Sequence, residues 1–396
     1  MNKKNFKSPE KIICVFLIIN FILAIISCVR NVLLHYGGMH PPLFGDHTMI
    51  YNECRMTLER ISIADTATVS CTWPWSRVLG IVIHGAFFDL TASRLYACVL
   101  YFIVISLTSI VVCKTIANKS ISIRLSVILI FLSSWYYTYL VCAFNNGSMV
   151  CILIILALAL IDEHPILTGI IMAFAMVKAQ IAIPFFVIFL LRGKWRTINT
   201  SVIIVVGSWI TYCFLTASTP IEQIINLLSG QMSESDASFL RYGMFDFILL
   251  FDNTKAFVAL ILSVVGGLIL LVFMELKVIP AEMKKRYKYL SFVGPSICCL
   301  LWFYTTKCDY LILTIVALGL MEWWIRSQKS MRDTLFILCV FCCTIMNPTN
   351  ILAQLLAKVG IINYSMAQPL EGRFDTILLL ILMAVLGCMS QRGILR

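Results

Sequence analysis

The sequence predicts an all-α polytopic membrane protein, built as a single integral membrane domain over residues 1–396. Of the 396 residues, 60% are hydrophobic and 13% are charged, and the mean hydropathy is +0.92. A soluble core of this length cannot hide so much apolar surface. Most of the Lys and Arg lie in short clusters beside apolar runs, which is typical of cytoplasmic loops. The net charge of +11 therefore indicates orientation in a membrane and does not indicate binding to nucleic acid.

The N-terminal segment predicts a retained signal anchor. Residues 1–11 are polar and carry four lysines, and the apolar run 12–34 follows without a small-residue cleavage site. We expect the protein to lie in the inner or plasma membrane of the cell, with its N-terminus in the cytoplasm.

Further apolar runs of near-spanning length follow along the chain. They cover 94–114, 124–142, 199–217, 255–275, 289–304, 309–326, 333–347 and 374–390. The stretch 149–191 is interrupted at 162–165 and at 178–180, and it is preceded by a basic cluster at 114–124 and followed by another at 192–196. These two clusters, and a third at 284–288, should all be cytoplasmic. An even number of crossings then makes 165–191 a short hairpin with Lys178 and Gln180 at its tip. Each arm reaches only about 18 Å of a bilayer about 30 Å thick, so the tip is sunk below the outer surface.

This parity gives about twelve membrane segments with both termini in the cytoplasm. The cytoplasmic loops are too short to fold around a nucleotide and carry no phosphate-binding motif, so any chemistry is expected on the outer face. The first outer loop, 35–93, contains two amphipathic segments, one from Asp46 and one from Trp75 to Phe88, each suited to a helix along the membrane surface.

Asp46 is the most informative residue of this loop, because a carboxylate placed at the outer face of a membrane costs free energy and so indicates a structural or functional role. One reading makes it a general base, and the other makes it the N-cap of the first amphipathic helix. Four histidines and several carboxylates share the loop, but their spacing is irregular and no metal or other cofactor is predicted. Cys54 and Cys71 of the same loop pair only if that compartment is oxidising.

Several segments together resemble glycosyltransferase family 87. They are Phe44 to Tyr51 in the first loop, Asn145-Asn146-Gly147-Ser148, Pro165 to Gly169, Lys178 to Pro184 and Leu191 to Arg196. The family has a Gly-Gln where this chain has Gly147-Ser148, and a shorter spacing from Lys to Pro. The similarity covers residues 45–196 well and the second half by topology only.

The resemblance implies a GT-C-type fold and sugar transfer, for example of mannose, from a polyprenyl-phosphate donor to a glycan or lipid acceptor, with inversion. It implies that Asp46 is the general base and that Lys178 binds the donor phosphate. Neither a metal nor a covalent intermediate is required. The further substrate-binding residues expected are His47, Tyr51, Trp75, Arg77, Asn145, Asn146, Gln180, Lys307 and Arg373.

Two other functions stay open. An O-antigen polymerase or ligase has a similar size, but it usually has a large late outer loop rich in Arg, whereas 217–254 has only Arg241. A flippase or transporter of lipid-linked glycans tends to show internal repeats, which are not evident between the two halves. Lys178 has a simpler reading too, in which its side chain extends to the membrane interface.

Overall fold

The computed structural model describes residues 9–36, 44–61, 73–116, 120–137, 144–223, 256–302, 306–327 and 330–391, and within these ranges it is all-helical. In chain order the helices are α1 Pro9–Tyr36, α2 Gly45–Leu58, α3 Pro74–His84, α4 Leu90–Ile116, α5 Ile121–Leu132, α6 Asn146–Leu160, α7 Pro165–Ala175, α8 Ala179–Leu191, α9 Trp195–Thr216, α10 Ala256–Phe273, α11 Ala281–Arg286, α12 Val293–Leu301, α13 Thr314–Arg326, α14 Met331–Ile345, α15 Pro348–Lys358 and α16 Tyr364–Gln391. Short 3-10 stretches precede α8, α12 and α13, and a π-helical turn follows α10.

Seven helical segments in the described ranges are long and apolar enough to cross a membrane, which makes the chain an integral membrane protein. They are Pro9–Leu34, Leu90–Ile116, Pro165–Leu191, Trp195–Thr216, Ile261–Val278, Lys307–Arg326 and Leu370–Met389. The pair α14 and α15, bent by 68°, makes an eighth if it forms one span. The apolar helices Ile121–Leu132, Asn146–Leu160 and Leu290–Leu301 are shorter. The predicted count of twelve therefore stays a prediction.

The basic clusters of the sequence meet at one end of the bundle, which we call the basic end. Two carboxylates each bind a basic residue from the cluster 192–196 and another from the cluster 284–288. The four ion pairs are Lys194–Asp162 at 2.8 Å, Lys288–Asp162 at 3.6 Å, Arg192–Glu275 at 3.0 Å and Lys284–Glu275 at 2.8 Å. The two loops therefore lie on the same side, as the charge bias predicts.

The segment Pro165–Leu191 has the total length and composition of one span, but the chain reverses direction inside it, so neither arm has the length of a full span. The hydroxyl of Thr197 donates to the carbonyl of Pro165 at 3.0 Å, and that of Ser201 donates to the carbonyl of Gly169 at 2.6 Å. The helices α7 and α9 thus run parallel, so α8 between them runs the opposite way. A Cβ on Gly169 would lie 2.7 Å from the carbonyl oxygen of Thr197, so glycine allows this close approach. The reversal occurs at the 3-10 turn Met176–Lys178.

This turn lies at the end of the bundle opposite the basic end, which we call the site end. The helix α6 connects the two ends. Gly147 in its first turn lies beside Lys178, and the carbonyl of Ala159 in its last turn accepts from Lys288 at 2.7 Å. At 1.5 Å per residue the two contacts are about 18 Å apart.

The span Lys307–Arg326 forms the centre of the bundle. Its most apolar window is 94% buried, whereas the other six candidate spans are half buried or less and present apolar faces outward. Its first turns, the 3-10 stretch Lys307–Leu313, lie at the site end beside α6. Charged side chains on these turns are thus held inside the protein and away from lipid.

The short helices α2 and α3 lie across the site end. The amphipathic segment predicted to start at Asp46 forms α2, and the one predicted for 75–88 forms α3, which ends four residues early. It ends at Gly85, which adopts φ +58, a left-handed conformation that favours glycine after a helix. The two helices pack on each other through Ile50, Cys54 and Ala86.

Candidate functional site

Asp46 stands in the first turn of α2. The helix starts at Gly45, and the residue before it, Phe44, has a left-handed backbone with φ 62. Asp46 is therefore not the N-cap, and the prediction of a capping role is wrong. As the second residue of the helix, it lies at the positive end of the helix dipole.

Asn145 anchors one oxygen of this carboxylate. Its Nδ2 donates to Asp46 Oδ2 at 2.6 Å, while its Oδ1 accepts from the backbone N–H of Gly147 at 2.6 Å. The second contact is the N-cap of α6, and it fixes which way the amide points. Of the residues that the structure describes, none hydrogen-bonds to the other carboxylate oxygen, Oδ1. Asp46 is thus anchored through one oxygen, and because it is only half-buried it stays accessible.

Lys178 at the hairpin tip binds Asp309. Its Nζ is 2.6 Å from Asp309 Oδ1. The other oxygen, Oδ2, accepts from the backbone N–H of Thr306 at 2.8 Å and from its hydroxyl at 3.2 Å, as one half of a capping box. Asp309 is fully buried and Lys178 is 13% exposed. Asp309 is thus a buried carboxylate that binds the lysine inside the protein.

Gly147 brings the two groups together. A Cβ on this glycine would lie 2.0 Å from Asp309 Oδ1, 2.9 Å from Asn145 Oδ1 and 2.9 Å from Lys178 Nζ. The amide that holds Asp46 and the ion pair of Lys178 thus border on the same point, and only a residue without a side chain fits there. The predicted base and the predicted phosphate ligand belong to one cluster, which we call the Asp46–Lys178 cluster.

Two tryptophans hold the hairpin tip in place. A break between two helices leaves carbonyls without helical partners, and each that is buried must be satisfied inside the protein. The indole of Trp75 donates to the carbonyl of Met176 at 2.9 Å, and the indole of Trp302 donates to that of Gln180 at 2.6 Å. Ser76 donates to Val177 at 2.9 Å. Trp75 is 8% exposed, so the structure gives it a supporting contact, and its predicted stacking on a sugar stays a prediction.

Arg77 and Tyr51 are engaged within the loop helices. Arg77 is 5% exposed, lies 3.6 Å from Glu53, and donates to the hydroxyl of Tyr212. Tyr51 is buried and donates to the carbonyl of Phe88 at 2.8 Å. Each contact ties α2 or α3 to its surroundings. Neither residue is placed in the Asp46–Lys178 cluster, and their predicted substrate contacts stay predictions.

Lys307 belongs to a second charged cluster at the site end. Its Nζ is 2.5 Å from Glu371 Oε1, also binds Asp375, and lies 3.2 Å from Asn347 Oδ1. Glu371 is 4% exposed, so its carboxylate lies inside the protein. Arg373, between the two carboxylates in sequence, is half-buried, and its Nε has no hydrogen-bond partner in the described part of the chain. The predicted roles of Lys307 and Arg373 at a phosphate stay predictions.

His47 and His84 form a buried pair behind Asp46. Their Nδ1 atoms are 2.9 Å apart, and both rings are fully buried. His84 Nε2 lies 2.7 Å from Asn146 Oδ1. Burial, with the positive charge of Arg94, lowers the pKa of His47 to about 4. Burial, with the neighbouring His47, lowers the pKa of His84 to about 3. Neither His47 nor Asn146 is placed against the open oxygen of Asp46.

Two further loop predictions concern cysteines and metals. Cys54 is buried, with its sulfur 2.7 Å from where a Cβ on Gly80 would stand, and Cys71 lies outside the described residues. No group of three or more His, Cys, Asp or Glu suited to a metal ion occurs within the described ranges.

Sequence reasoning missed Asp309 and the role of Gly147. Thr306 and Asp309 have the spacing of a capping box, which is a sequence signal for a buried, hydrogen-bonded carboxylate at a helix start. No sequence signal links Asp309 to Lys178, which is 131 residues away.

Comparison with known proteins adds no relative: the chain matches no protein-family model, no curated protein and no solved structure.

Proposed function

We propose that the protein is an inverting membrane glycosyltransferase of GT-C type, which transfers a sugar from a polyprenyl-phosphate donor to a glycan or lipid acceptor. The observation that carries the proposal is the Asp46–Lys178 cluster. It combines a carboxylate anchored on one oxygen with a lysine at the tip of a hairpin whose arms are too short to span a bilayer. An ionisable residue at such a depth indicates a functional site.

The chemistry follows from the two ends of the cluster. The open Oδ1 of Asp46 accepts the proton of the acceptor hydroxyl as its oxygen attacks the anomeric carbon of the donor sugar. The bond from that carbon to the phosphate oxygen breaks, and its electron pair stays on the phosphate. Lys178 stabilises this negative charge, and the N-terminus of α6, which starts at Asn146, adds a positive helix dipole.

The membrane arrangement supports a lipid-linked donor. The basic end is assigned to the cytoplasm by the positive-inside rule, so the site end faces outward, where nucleotide sugars are absent. The described chain passes between the two ends repeatedly, through the other six long segments, through both arms of the hairpin Pro165–Leu191, and through short helices such as α5, α6 and α12. This alternation supports about twelve membrane segments with both termini inside.

The test is a transfer assay in proteoliposomes with a panel of radiolabelled polyprenyl-phosphate sugars. The Asp46→Asn variant keeps the shape of the carboxylate and removes the base, so we expect the transfer rate to fall by a factor of about 10² to 10⁴. Asp89→Asn is the matched control in the same loop, because Asp89 caps the start of α4 and Asn caps equally well. Transfer by Asp46→Asn at the wild-type rate refutes the proposed mechanism.

The second charged cluster favours one other function, a proton-coupled transporter. Lys307 lies between Glu371 and Asp375 inside the protein, and buried carboxylates in membrane segments are typical of proton pathways. A substrate-dependent proton flux into proteoliposomes, lost in Asp375→Asn and seen without any sugar transfer, is the result that favours the transporter.

A further inference from the structure

Two adjacent residues of α2 are attached to two adjacent residues at the start of α6, its N-cap Asn145 and its first residue Asn146. Asp46 accepts from Asn145 directly at 2.6 Å. His47 reaches Asn146 through one intermediary, the ring of His84, by contacts of 2.9 Å and 2.7 Å. A single hydrogen bond would let α2 pivot about the contact. Two attachments on successive residues, which point to different faces of a helix, fix its rotation as well.

The histidine link has a defined arrangement of protons. Asn146 Oδ1 only accepts, so His84 Nε2 carries a hydrogen and donates to it. In a neutral ring the Nδ1 of His84 is then an acceptor, and the hydrogen between the two Nδ1 atoms belongs to His47. His47 Nε2 is then an acceptor 3.1 Å from the hydroxyl of Ser93, whose single hydrogen also faces the carbonyl of His84. The pair therefore consists of two neutral rings with complementary tautomers.

The surroundings of the pair favour neutral rings. Both side chains have no exposed surface, and burial disfavours a charged imidazole. The charged group that acts on His47 is Arg94 of α4, and it is also positive. Tyr51 of α2 stacks on His47 with ring centroids 6.2 Å apart. The Arg77–Glu53 ion pair of α3 and α2 lies about two helical turns along each helix from the two histidines.

We propose that His47 and His84 are a positioning pair, which fixes the rotation of α2 against α6 and so directs the open oxygen of Asp46 toward the acceptor hydroxyl. The claim that the pair directs Asp46 toward an acceptor hydroxyl rests on the proposed function. The claim that the pair fixes the rotation of α2 does not. Neither histidine touches the reacting atoms, so both act through Asp46.

The experiment compares His84→Gln with His84→Leu in nanodiscs. A glutamine amide supplies one acceptor for His47 and one donor for Asn146, so it keeps the link without a titratable ring, whereas leucine fills similar space and breaks it. We expect His84→Leu to increase hydrogen exchange of the α2 amides at least tenfold and to lower kcat with little change in KM. We expect His84→Gln to restore both. Nitrogen NMR of labelled histidines should show His47 protonated on Nδ1 and His84 on Nε2, both without titration down to pH 5.

Three outcomes overturn the proposal. The first is that His84→Leu leaves the exchange of α2 at the wild-type level. The second is that both rings titrate near pH 6.5, the ordinary pKa of histidine. The third is that His84→Leu loosens α2 without changing kcat of an active wild type. If wild-type protein shows the tautomers and the exchange effect but transfers no sugar from any donor, the proposed function fails while the fixing of α2 stands.

Discussion

Gly147→Ala places a methyl group at the point where the parts of the Asp46–Lys178 cluster meet. The added carbon would stand 2.0 Å from Asp309 Oδ1, and contacts below about 3 Å essentially never occur. The carboxylate cannot swing aside, because its other oxygen is held by the backbone and hydroxyl of Thr306. The ion pair with Lys178 must therefore shift as a unit.

The required shift sets the size of the effect. Asp309 Oδ1 has to retreat by about 1 Å, and a misplacement of that size in a catalytic site costs about a factor of 10² in rate. This corresponds to about 2.7 kcal/mol in activation free energy. Overpacking of this kind also lowers the free energy of unfolding by about 1 to 3 kcal/mol. We expect the rate loss to exceed what the loss of folded protein explains.

The assay is sugar transfer per folded molecule, with thermal unfolding measured on the same preparations. Two other glycines provide matched controls. Gly207→Ala adds a methyl group with nothing within 4 Å, so neither the transfer rate nor the thermal stability should fall. Gly169→Ala puts a Cβ 2.6 Å from Thr200 Cβ in the contact between α7 and α9, so it should lower stability while leaving the cluster intact.

The reasoning is refuted if Gly147→Ala transfers sugar at a rate within a factor of three of Gly207→Ala. It is also refuted if Gly169→Ala, at equal loss of stability, loses as much rate per folded molecule as Gly147→Ala.

Three other substitutions test single contacts. Asn145→Asp replaces the amide that donates to Asp46 Oδ2 with a second carboxylate, so the two groups repel each other and the transfer rate should fall; an unchanged rate contradicts the contact. Trp75→Phe removes the donor to Met176 and should lower the unfolding free energy by about 1 to 3 kcal/mol, whereas Trp195→Phe at an exposed position should have little effect in thermal melts. Because burial lowers the pKa of His47 to about 4 and of His84 to about 3, the free energy of unfolding should keep its full value above pH 6.5 and decline as the pH falls toward 4. Thermal melts from pH 7.5 to 4.5 will measure this decline, and His84→Gln should make it shallower.

Charge bias carried most of what the sequence could predict of the fold. Basic residues avoid one side of a membrane, so charge bias assigns the clusters at 192–196 and 284–288 to the same side, and the ion pairs with Asp162 and Glu275 confirm that they share an end. The bounds of the long helices followed from apolar runs. The break after α14 is marked by Asn347-Pro348, where the predicted apolar run 333–347 ends, but no sequence pattern predicts the 68° bend between α14 and α15.

Partners across the bundle were beyond the sequence. A lone Lys178 or Arg77 in an apolar chain looks free for a ligand, because the carboxylate that binds it lies far along the chain or on another helix. Trp75 likewise looks like an interface aromatic until the carbonyl that its indole satisfies is known. Local patterns predict where a charge lies along the membrane normal, whereas its partner depends on how the helices are arranged within the membrane plane.

The 3-10 stretch Lys307–Leu313 joins the two charged clusters with a fixed register. Lys307 binds two acids of α16, and Asp309, two residues later, binds the lysine of the hairpin tip. Exchanging the two residues would set like charges against each other on both sides. Inserting or deleting one residue between them would break both contacts at once. The length and the charge order of this three-residue segment should thus be invariant among homologous chains, even where the neighbouring loops differ in length.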